Sequence, residues 1–563
     1  MNFKHKLIYK MQYTYLFIIF LFVGCASNKG NEQDLTKQPN IVLIYMDDLG
    51  WKDVGYAGST YYETPNIDAL AASGMQFSRA YSAAPVCSPS RGAIVTGRTP
   101  ARNKYTTVFY GALNSTKDDV LHDQSKQYGI GNQNLEARHR HALGKENVLF
   151  AEKLRDAGYE TAYLGKWHNG EFEGYRPQDR GYNFVAGTTT KRDGGFYDHV
   201  LTKESLKILY NMPEANEGDY LAELLTNHSI DFIDKNKDKP FLLHLSHYLV
   251  HGPIIPKKEL LPNYENKKGN DQSNAKYATM VEAMDESVGR IMNKLEELNL
   301  LENTLILFTS DNGGLSLDGI TSNYPLRGGK SFSYEGGIRV PFVASWKNKI
   351  NPNQSNKTRI IGTDIYPTIL AAAGLPLDNE QHKDGKNLLL VFLDEKPLEN
   401  RPLYFHFPHY THATSPYSSI IDGDYKLIRY YNDAEGRYAL FNLEEDISEE
   451  HDLSEQHPEI VKDLDAKLTA LLEDADAEYP IPVDSKEGKA LIENFYKGET
   501  IGFCTKGVNG WRIRNKKSER VYADMERNCF EKMLQGDSAT FIHYSNIFEK
   551  GDIDLKRLKP FMD

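Results

Sequence analysis

Two hydrophobic rhythms alternate along the chain. Unbroken apolar runs of strand length occur at Asn40-Ile-Val-Leu-Ile-Tyr-Met46, Thr161 to Gly165, Phe241 to Leu245 and Leu305 to Thr309. Such runs fit strands covered on both faces, as in a parallel sheet. Helical segments lie between them, at Asn66 to Gly74, Asn147 to Gly158, Tyr220 to Asn236 and Lys276 to Asn299. The alternation predicts an α/β fold, a large mixed, mostly parallel sheet sandwiched by helices. Near Arg401 the rhythm changes. Short strand patterns at Tyr404-Phe405-His406, Ser418 to Asp422, Tyr425 to Tyr430 and Tyr438 to Phe441 are separated by Asp-Gly and Glu-Gly turns, and a helix follows from Pro458 to Asp476. These predict a smaller C-terminal antiparallel sheet with one packed helix. The polar insert from Asn103 to His141 reads as surface loops.

The first residues have a different character. Lys4, Lys6 and Lys10 precede an apolar run from Tyr15 to Val23, too short and wrongly flanked for a spanning helix. The run ends at Val23-Gly24-Cys25-Ala26, which resembles a bacterial lipoprotein signal, although Phe22 stands where such signals usually carry Leu. The resemblance implies cleavage before Cys25 and a membrane lipid anchor on it. Ordinary secretion and a retained anchor are the alternatives. Each places the protein outside the cytoplasm, in the periplasm, on the outer membrane or secreted. Residues 26–38 read as a polar tether.

The formal net charge of −12 argues against a nucleic-acid partner. It also means that any pocket for an anion must be built from placed Arg, Lys and His. With four cysteines in 563 residues the chain is no disulfide scaffold. Cys504 and Cys529 are far from the others, and spacing does not decide whether they pair.

One cysteine carries the chemistry. Ala84-Pro-Val-Cys87-Ser88-Pro89-Ser90-Arg91 continues to Thr96-Gly97-Arg98. Cys-x-Pro-Ser-Arg with a following Thr-Gly-Arg resembles the signature of type I sulfatases of the alkaline-phosphatase superfamily. That resemblance, bacterial carbohydrate-sulfatase-like, runs from Asn40 to about Pro480. It implies oxidation of Cys87 to formylglycine by a formylglycine-generating or anaerobic maturation enzyme. A hydrated aldehyde offers one hydroxyl to attack sulfur and a second whose deprotonation expels sulfate, so no stable ester is left behind.

Other segments extend the resemblance. Asp47-Asp48-x-Gly50-x-x-Asp53 and Ser310-Asp311-Asn312-Gly313 match the family's metal motifs, and both follow predicted strands. They imply Asp47, Asp48, Asp311, Asn312 and the modified Cys87 as ligands. An all-oxygen set suits Ca2+, with Mg2+ requiring a tighter cavity. Asp53 reads as a loop-stabilising residue instead. Gly165-Lys166-Trp167-His168 implies Lys166 as a sulfate contact and His168 as the base for the second hydroxyl. Val250-His251-Gly252-Pro253 implies His251 as general acid, with His244 and His247 as structural neighbours. Arg327-Gly-Gly-Lys330 precedes Glu335-Gly-Gly-Ile-Arg339-Val-Pro, and the match implies that Lys330 binds sulfate. Arg91 is expected to hold the formylglycine and balance charge.

The expected organisation is therefore a signal peptide at 1–25, a tether at 26–38, a catalytic α/β domain at 39–400, the antiparallel subdomain at 401–484, and an extension of unassigned role at 485–563. The expected reaction is hydrolysis of a sulfate ester on a sulfated carbohydrate, exo-acting on galactose or N-acetylgalactosamine sulfate by analogy. His406, His409 and Tyr410, with Arg176, Arg192 and Asp193, are candidates to line the mouth. Two rival readings stand beside this. A phosphatase or phosphodiesterase of the same superfamily would share the sheet but usually carries Ser or Thr as nucleophile. A lipid-anchored glycan-binding protein would need the cations but not Cys87.

Overall fold

The computed structural model describes residues 38–108, 128–130, 134–189, 198–316, 319–394, 398–411, 414–432, 437–482, 484–494, 502–507 and 510–515. The signal, the tether up to residue 37, Arg192, Asp193, Cys529 and most of the 485–563 extension lie outside them.

An eight-stranded sheet organises the molecule. Asn40–Met46 is a strand with every residue buried. It pairs in parallel with Phe241–Ser246 on one side and Thr304–Ser310 on the other. Glu160–Gly165 continues the parallel set beyond Phe241–Ser246, and Phe184–Ala186 ends it. On the other flank Phe342–Ser345 is the antiparallel member, pairing with both Thr304–Ser310 and Met75–Phe77. The mixed, mostly parallel sheet is thus the one the apolar runs predict. Each face of it carries its own core. Val42, Ile44 and Met46 join the helices Leu221–Lys235 and Ala275–Glu297 on one side. Ile41, Leu43 and Tyr45 join Phe150–Asp156 and Ile365–Ala372 on the other. Alternate residues of one strand feeding two cores explain why the run is apolar throughout.

The second sheet is four-stranded and antiparallel, built from Leu403–Phe407, Tyr417–Asp422, Tyr425–Tyr430 and Tyr438–Asn442 in that order. Its one face packs Leu464, Leu468 and Leu472 of the helix Pro458–Asp474, and the other packs Tyr81, Val86 and Ala93 beside the nucleophile segment.

The insert departs from the surface-loop reading. In its described parts Asn103, Tyr105, Thr106, Leu135, Glu136 and His139 are buried. Tyr128–Ile130 and Asn134–Leu135 also enter a five-stranded sheet with Ile481–Pro482, Gly502–Gly507 and Gly510–Asn515. Backbone pairing of the insert with the extension is a long-range contact that a local hydrophobic pattern does not report. Among the described residues no helix is long and apolar enough to cross a membrane.

Candidate active site

Four parallel strands deliver the site. The register sets Met46 opposite Ser310 and Gly165 opposite Ser246. The residues that follow, Asp47-Asp48, Asp311-Asn312, Lys166 and His247 to His251, therefore leave the sheet at one end. This is the carboxyl end of the strands, where open α/β sheets bind ligands. Gly165 has φ +98°, and a side chain there would collide with the Ser246 carbonyl. Only glycine lets the chain turn so sharply into Lys166.

Cys87 opens the helix Cys87–Thr96, all of whose residues are buried. Its Sγ lies 3.4 Å from Asp47 Oδ1 and 3.9 Å from Asp48 Oδ1, and Lys330 Nζ is 3.5 Å away. One helical turn on, Arg91 reaches back under the same site. It donates to Asp311 Oδ2 at 2.8 Å, to the Lys166 carbonyl at 2.9 Å and to Ser246 Oγ at 2.5 Å. Its guanidinium sits 5.2 Å from the centre of the Tyr45 ring.

The cations and carboxylates interleave. Lys166 Nζ donates to Asp47 Oδ2 at 2.7 Å. Lys330 Nζ lies 2.7 Å from Asp48 Oδ1. Asn312 Nδ2 donates to Asp48 Oδ1 at 2.8 Å, and the Asp48 amide donates to Asp311 Oδ1 at 3.1 Å. Burial alone would raise the Asp47 carboxyl, but Lys166, His251, Arg91 and Lys330 hold it well below the usual range. Burial pushes the Cys87 thiol up, and Lys166 and Lys330 offset this only in part. An unmodified thiol here is a protonated, poor nucleophile.

Two histidines flank the nucleophile. His251 Nε2 lies 3.6 Å from Asp48 Oδ2, while its Nδ1 meets the Gly252 carbonyl at 2.5 Å and its own carbonyl is held by His199 Nε2 at 2.7 Å. Burial, then Lys330, brings its pKa down to about 4. His168 is fastened through its backbone, its N–H donating to Glu171 Oε1 at 2.8 Å and its carbonyl accepting from Tyr105. Burial, with Lys166 and Arg91, keeps its ring neutral. Its Nδ1 has no hydrogen-bond partner among the described residues. Asp48 and His168 both have left-handed backbone, at φ 63° and 54°. Asp and His are among the few residues that adopt it, and they do so at functional sites. Lys330 and His251 retain 17% and 19% side-chain exposure while Asp47, Asp48 and Asp311 are fully buried, so the mouth opens between those two.

A cation fits the donor set. Asp47, Asp48 and Asp311 supply buried carboxylates, and Asn312 Oδ1 is buried with no hydrogen-bond partner among the described residues. An orphaned amide oxygen among three carboxylates wants a hard cation. Ligand atoms of Asp47, Asp48, Cys87 and His251 also fall within 4.8 Å of one another. Asp53 is separate. It accepts from Gly50 N at 3.0 Å, Tyr277 at 2.7 Å and Thr321 at 2.6 Å, and so braces the loop after Asp48.

The structure places the sugar candidates elsewhere. His406 has its ring nitrogens on Ser418 Oγ at 2.7 Å and the Glu478 carbonyl at 2.8 Å. His409 meets Thr106 Oγ1 at 2.7 Å and Glu136 Oε2 at 3.3 Å, and is 1% exposed. Tyr410 is buried on Asn134 and Asn432. None of these rings is presented at a mouth; His409 and Tyr410 join the insert to the antiparallel sheet, and His406 ties that sheet to the segment at Glu478. Arg176 is half-buried and donates to the Glu171 carbonyl at 3.1 Å, behind the His168 turn. His244 and His247 are structural, bonded to Tyr182 at 3.0 Å and Ser287 at 2.9 Å. Ser246, Tyr45, Glu171 and His199 support the site and went unrecognised, because strand-interior and lone polar residues carry no local signal.

A buried thiol at a helix start, three fixed cations and an oxygen-rich cation set define a hydrolase for anionic esters. The chain belongs to the sulfatase family, whose model matches residues 39–375, and it is a sulfuric ester hydrolase. Residues 329–474 also match the C-terminal model of N-sulphoglucosamine sulphohydrolase. The chain is 33% identical to a sulfatase of Formosa agariphila over 76% of its own length and 86% of that protein's. It is 31% identical to human N-acetylgalactosamine-6-sulfatase over 65% of its length and 68% of the relative's. Among solved structures, Ps i-CgsB in complex with k-i-k-neocarrahexaose superposes with a TM-score of 0.66 at 31% identity, covering 78% of this chain and 94% of that one. Family membership sets aside the phosphoesterase and binding-protein readings.

Proposed function

We propose that this protein hydrolyses 6-O-sulfate esters of N-acetylgalactosamine or a related galactose unit in a sulfated glycan, using a formylglycine made from Cys87 and a bound Ca2+. The observation that carries the reading is the convergence of Arg91, Lys166 and Lys330 with His168 and His251 around Cys87, in a chain similar to N-acetylgalactosamine-6-sulfatases of human and of Bacteroides thetaiotaomicron.

Asp47, Asp48, Asp311 and Asn312 would hold the cation. Formylglycine and Ca2+ together supply an acidified hydroxyl nucleophile at neutral pH and a second hydroxyl whose deprotonation frees sulfate. The chain's residues do the remaining work. Lys330 and Lys166 meet the sulfate oxygens and replace the lost water. Lys330 is the more exposed and meets the incoming ester first. Arg91, fastened to Asp311, Ser246 and the Lys166 carbonyl, fixes the start of its helix. His251 passes a proton from Nε2 to the leaving sugar oxygen; the negative charge of the incoming sulfate ester and Asp48 favour the protonated ring. His168, kept neutral, takes the proton from the second hydroxyl.

The protein is exported, by this reading, and held at a membrane through lipid on Cys25. Its maturation enzyme acts on Cys87 before folding, since the folded thiol is 2% exposed. The test is release of inorganic sulfate from a panel of 4- and 6-sulfated mono- and oligosaccharides. Release confined to 4-sulfates would overturn the position; release from none by fully converted protein would overturn the sugar class.

A further inference from the structure

A fully buried charge cluster lies away from the reacting atoms. Lys426, in the antiparallel strand Tyr425–Tyr430, has its Nζ 3.2 Å from Glu335 Oε1 and 2.9 Å from Glu449 Oε1. All three side chains are 0% exposed. Glu449 Oε2 accepts from the Glu335 backbone N–H at 2.6 Å, and the Glu449 carbonyl accepts from Arg327 at 2.6 Å. Glu335 Oε2 accepts from Tyr81 at 2.8 Å. A buried ion cluster is weak evidence for stability, because apolar side chains of similar volume serve a core as well or better. Its use is to fix one arrangement of the groups it joins.

What it joins is the segment that carries Lys330. Arg327 to Arg339 is a tight knot closed by Gly336 N to Arg327 O at 2.9 Å. Three further backbone bonds tie this knot to the site. Lys330 N donates to the Gly314 carbonyl at 3.1 Å, and Gly313 N donates to the Gly337 carbonyl at 3.0 Å. Ser331 N donates to the Pro85 carbonyl, two residues before Cys87, at 2.8 Å. A side chain on Gly313 would collide with the Gly336 carbonyl, so the turn after Asn312 and the knot are in direct backbone contact. Glu335 is thus the grip by which the second sheet holds Lys330 and the Asn312 turn in register with Cys87.

We infer that Lys426 and Glu449 are positioning residues of the catalytic centre, acting through Glu335 on Lys330 and the Asn312–Gly313 turn. The antiparallel sheet then completes the site rather than merely adjoining it. This rests on the reading of Lys330 given above.

The test is a double-mutant cycle. Lys426→Met with Glu449→Gln removes one cation and one anion together, leaving Glu335 to Tyr81 and Arg339, so no lone charge is stranded. Turnover of p-nitrophenyl sulfate is measured with and without Lys330→Ala, after mass spectrometry has shown equal conversion of Cys87. The paired substitution is expected to lower kcat by about tenfold or more in the native background and by less than about twofold beside Lys330→Ala. Equal losses in both backgrounds would overturn the inference, since a general loss of structure does not depend on Lys330. Full turnover by Lys330→Ala alone would sink the reading of the site and this inference with it. If the paired variant does not fold, Glu449→Gln alone is carried through the same cycle and judged by the same inequality.

Discussion

The strand-end site and the antiparallel sheet both bury ionisable side chains completely, yet they differ in what those side chains have left to give. Around His406, His409 and Lys426 the polar atoms are matched within the protein, ring nitrogen to hydroxyl or carbonyl and ammonium to carboxylate. Around Cys87 they are not. Asn312 Oδ1 and His168 Nδ1 are buried without hydrogen-bond partners among the described residues, and Lys330 and His251 keep part of their surface. Burial of charge marks both regions, and Ser419 Oγ and Arg429 Nε of the antiparallel sheet also lack hydrogen-bond partners among the described residues; what marks the ligand site is unspent bonding capacity beside cations that stay partly open, as at Lys330 and His251.

The largest effect expected from breaking this contrast is at Cys87. Cys87→Ala should lower kcat by about 10⁴-fold or more while the melting temperature stays nearly unchanged. Retained turnover would show that the nucleophile lies elsewhere. Next is the cation. Asp48→Asn should reduce sulfate release by about 10²- to 10³-fold, and a chelator should silence the native enzyme until Ca2+ is restored. Chelator-resistant turnover would remove the cation from the account. His251→Ala sharpens the contrast through the leaving group. Rates on a sugar sulfate should fall about 10²-fold, and those on an activated aryl sulfate much less. Equal losses on both would rule out a general acid.

The matched region should behave in the opposite sense. His406→Phe should leave KM within about twofold, yet destabilise the fold by about 1–3 kcal/mol, because Ser418 and the Glu478 carbonyl lose their partner. A tenfold rise in KM with unchanged stability would restore a sugar contact there.

Acid gives the smallest and most diffuse effect. Burial, for His244 together with the Arg91 charge, brings the pKa values of His244 and His406 down to about 3, against 6.5 for a free ring. The unfolded chain binds these protons first as pH falls, so stability is full above pH 6.5 and is lost progressively from there toward pH 3. Thermal melts between pH 7.5 and 4.5 should show that decline. His406→Phe should flatten it, and an unchanged slope would take His406 out of the titration.

The same contrast explains what could be read without coordinates. Asp47-Asp48 and Asp311-Asn312 stand directly after continuous apolar strands, and parallel pairing carries both to one sheet end. Cys87 and Arg91 are one helical turn apart, and such local spacing is visible in a sequence. His406, inside the strand Leu403–Phe407, and His251, beyond the end of Phe241–Ser246, are not separable this way, because each lies beside an apolar strand segment and what sets them apart is their distant partners. Glu478 meets His406 across the fold, as Lys426 meets Glu335, and neither partnership has a local pattern. The insert escapes a local reading for the same reason. Its polar residues are buried because strands and side chains far along the chain satisfy them.

The most direct test of the central claim is sulfate release from 6-sulfated N-acetylgalactosamine by protein in which mass spectrometry shows Cys87 converted to formylglycine. The account predicts release that a chelator stops and that unconverted protein lacks. Equal release by converted and unconverted protein would contradict it.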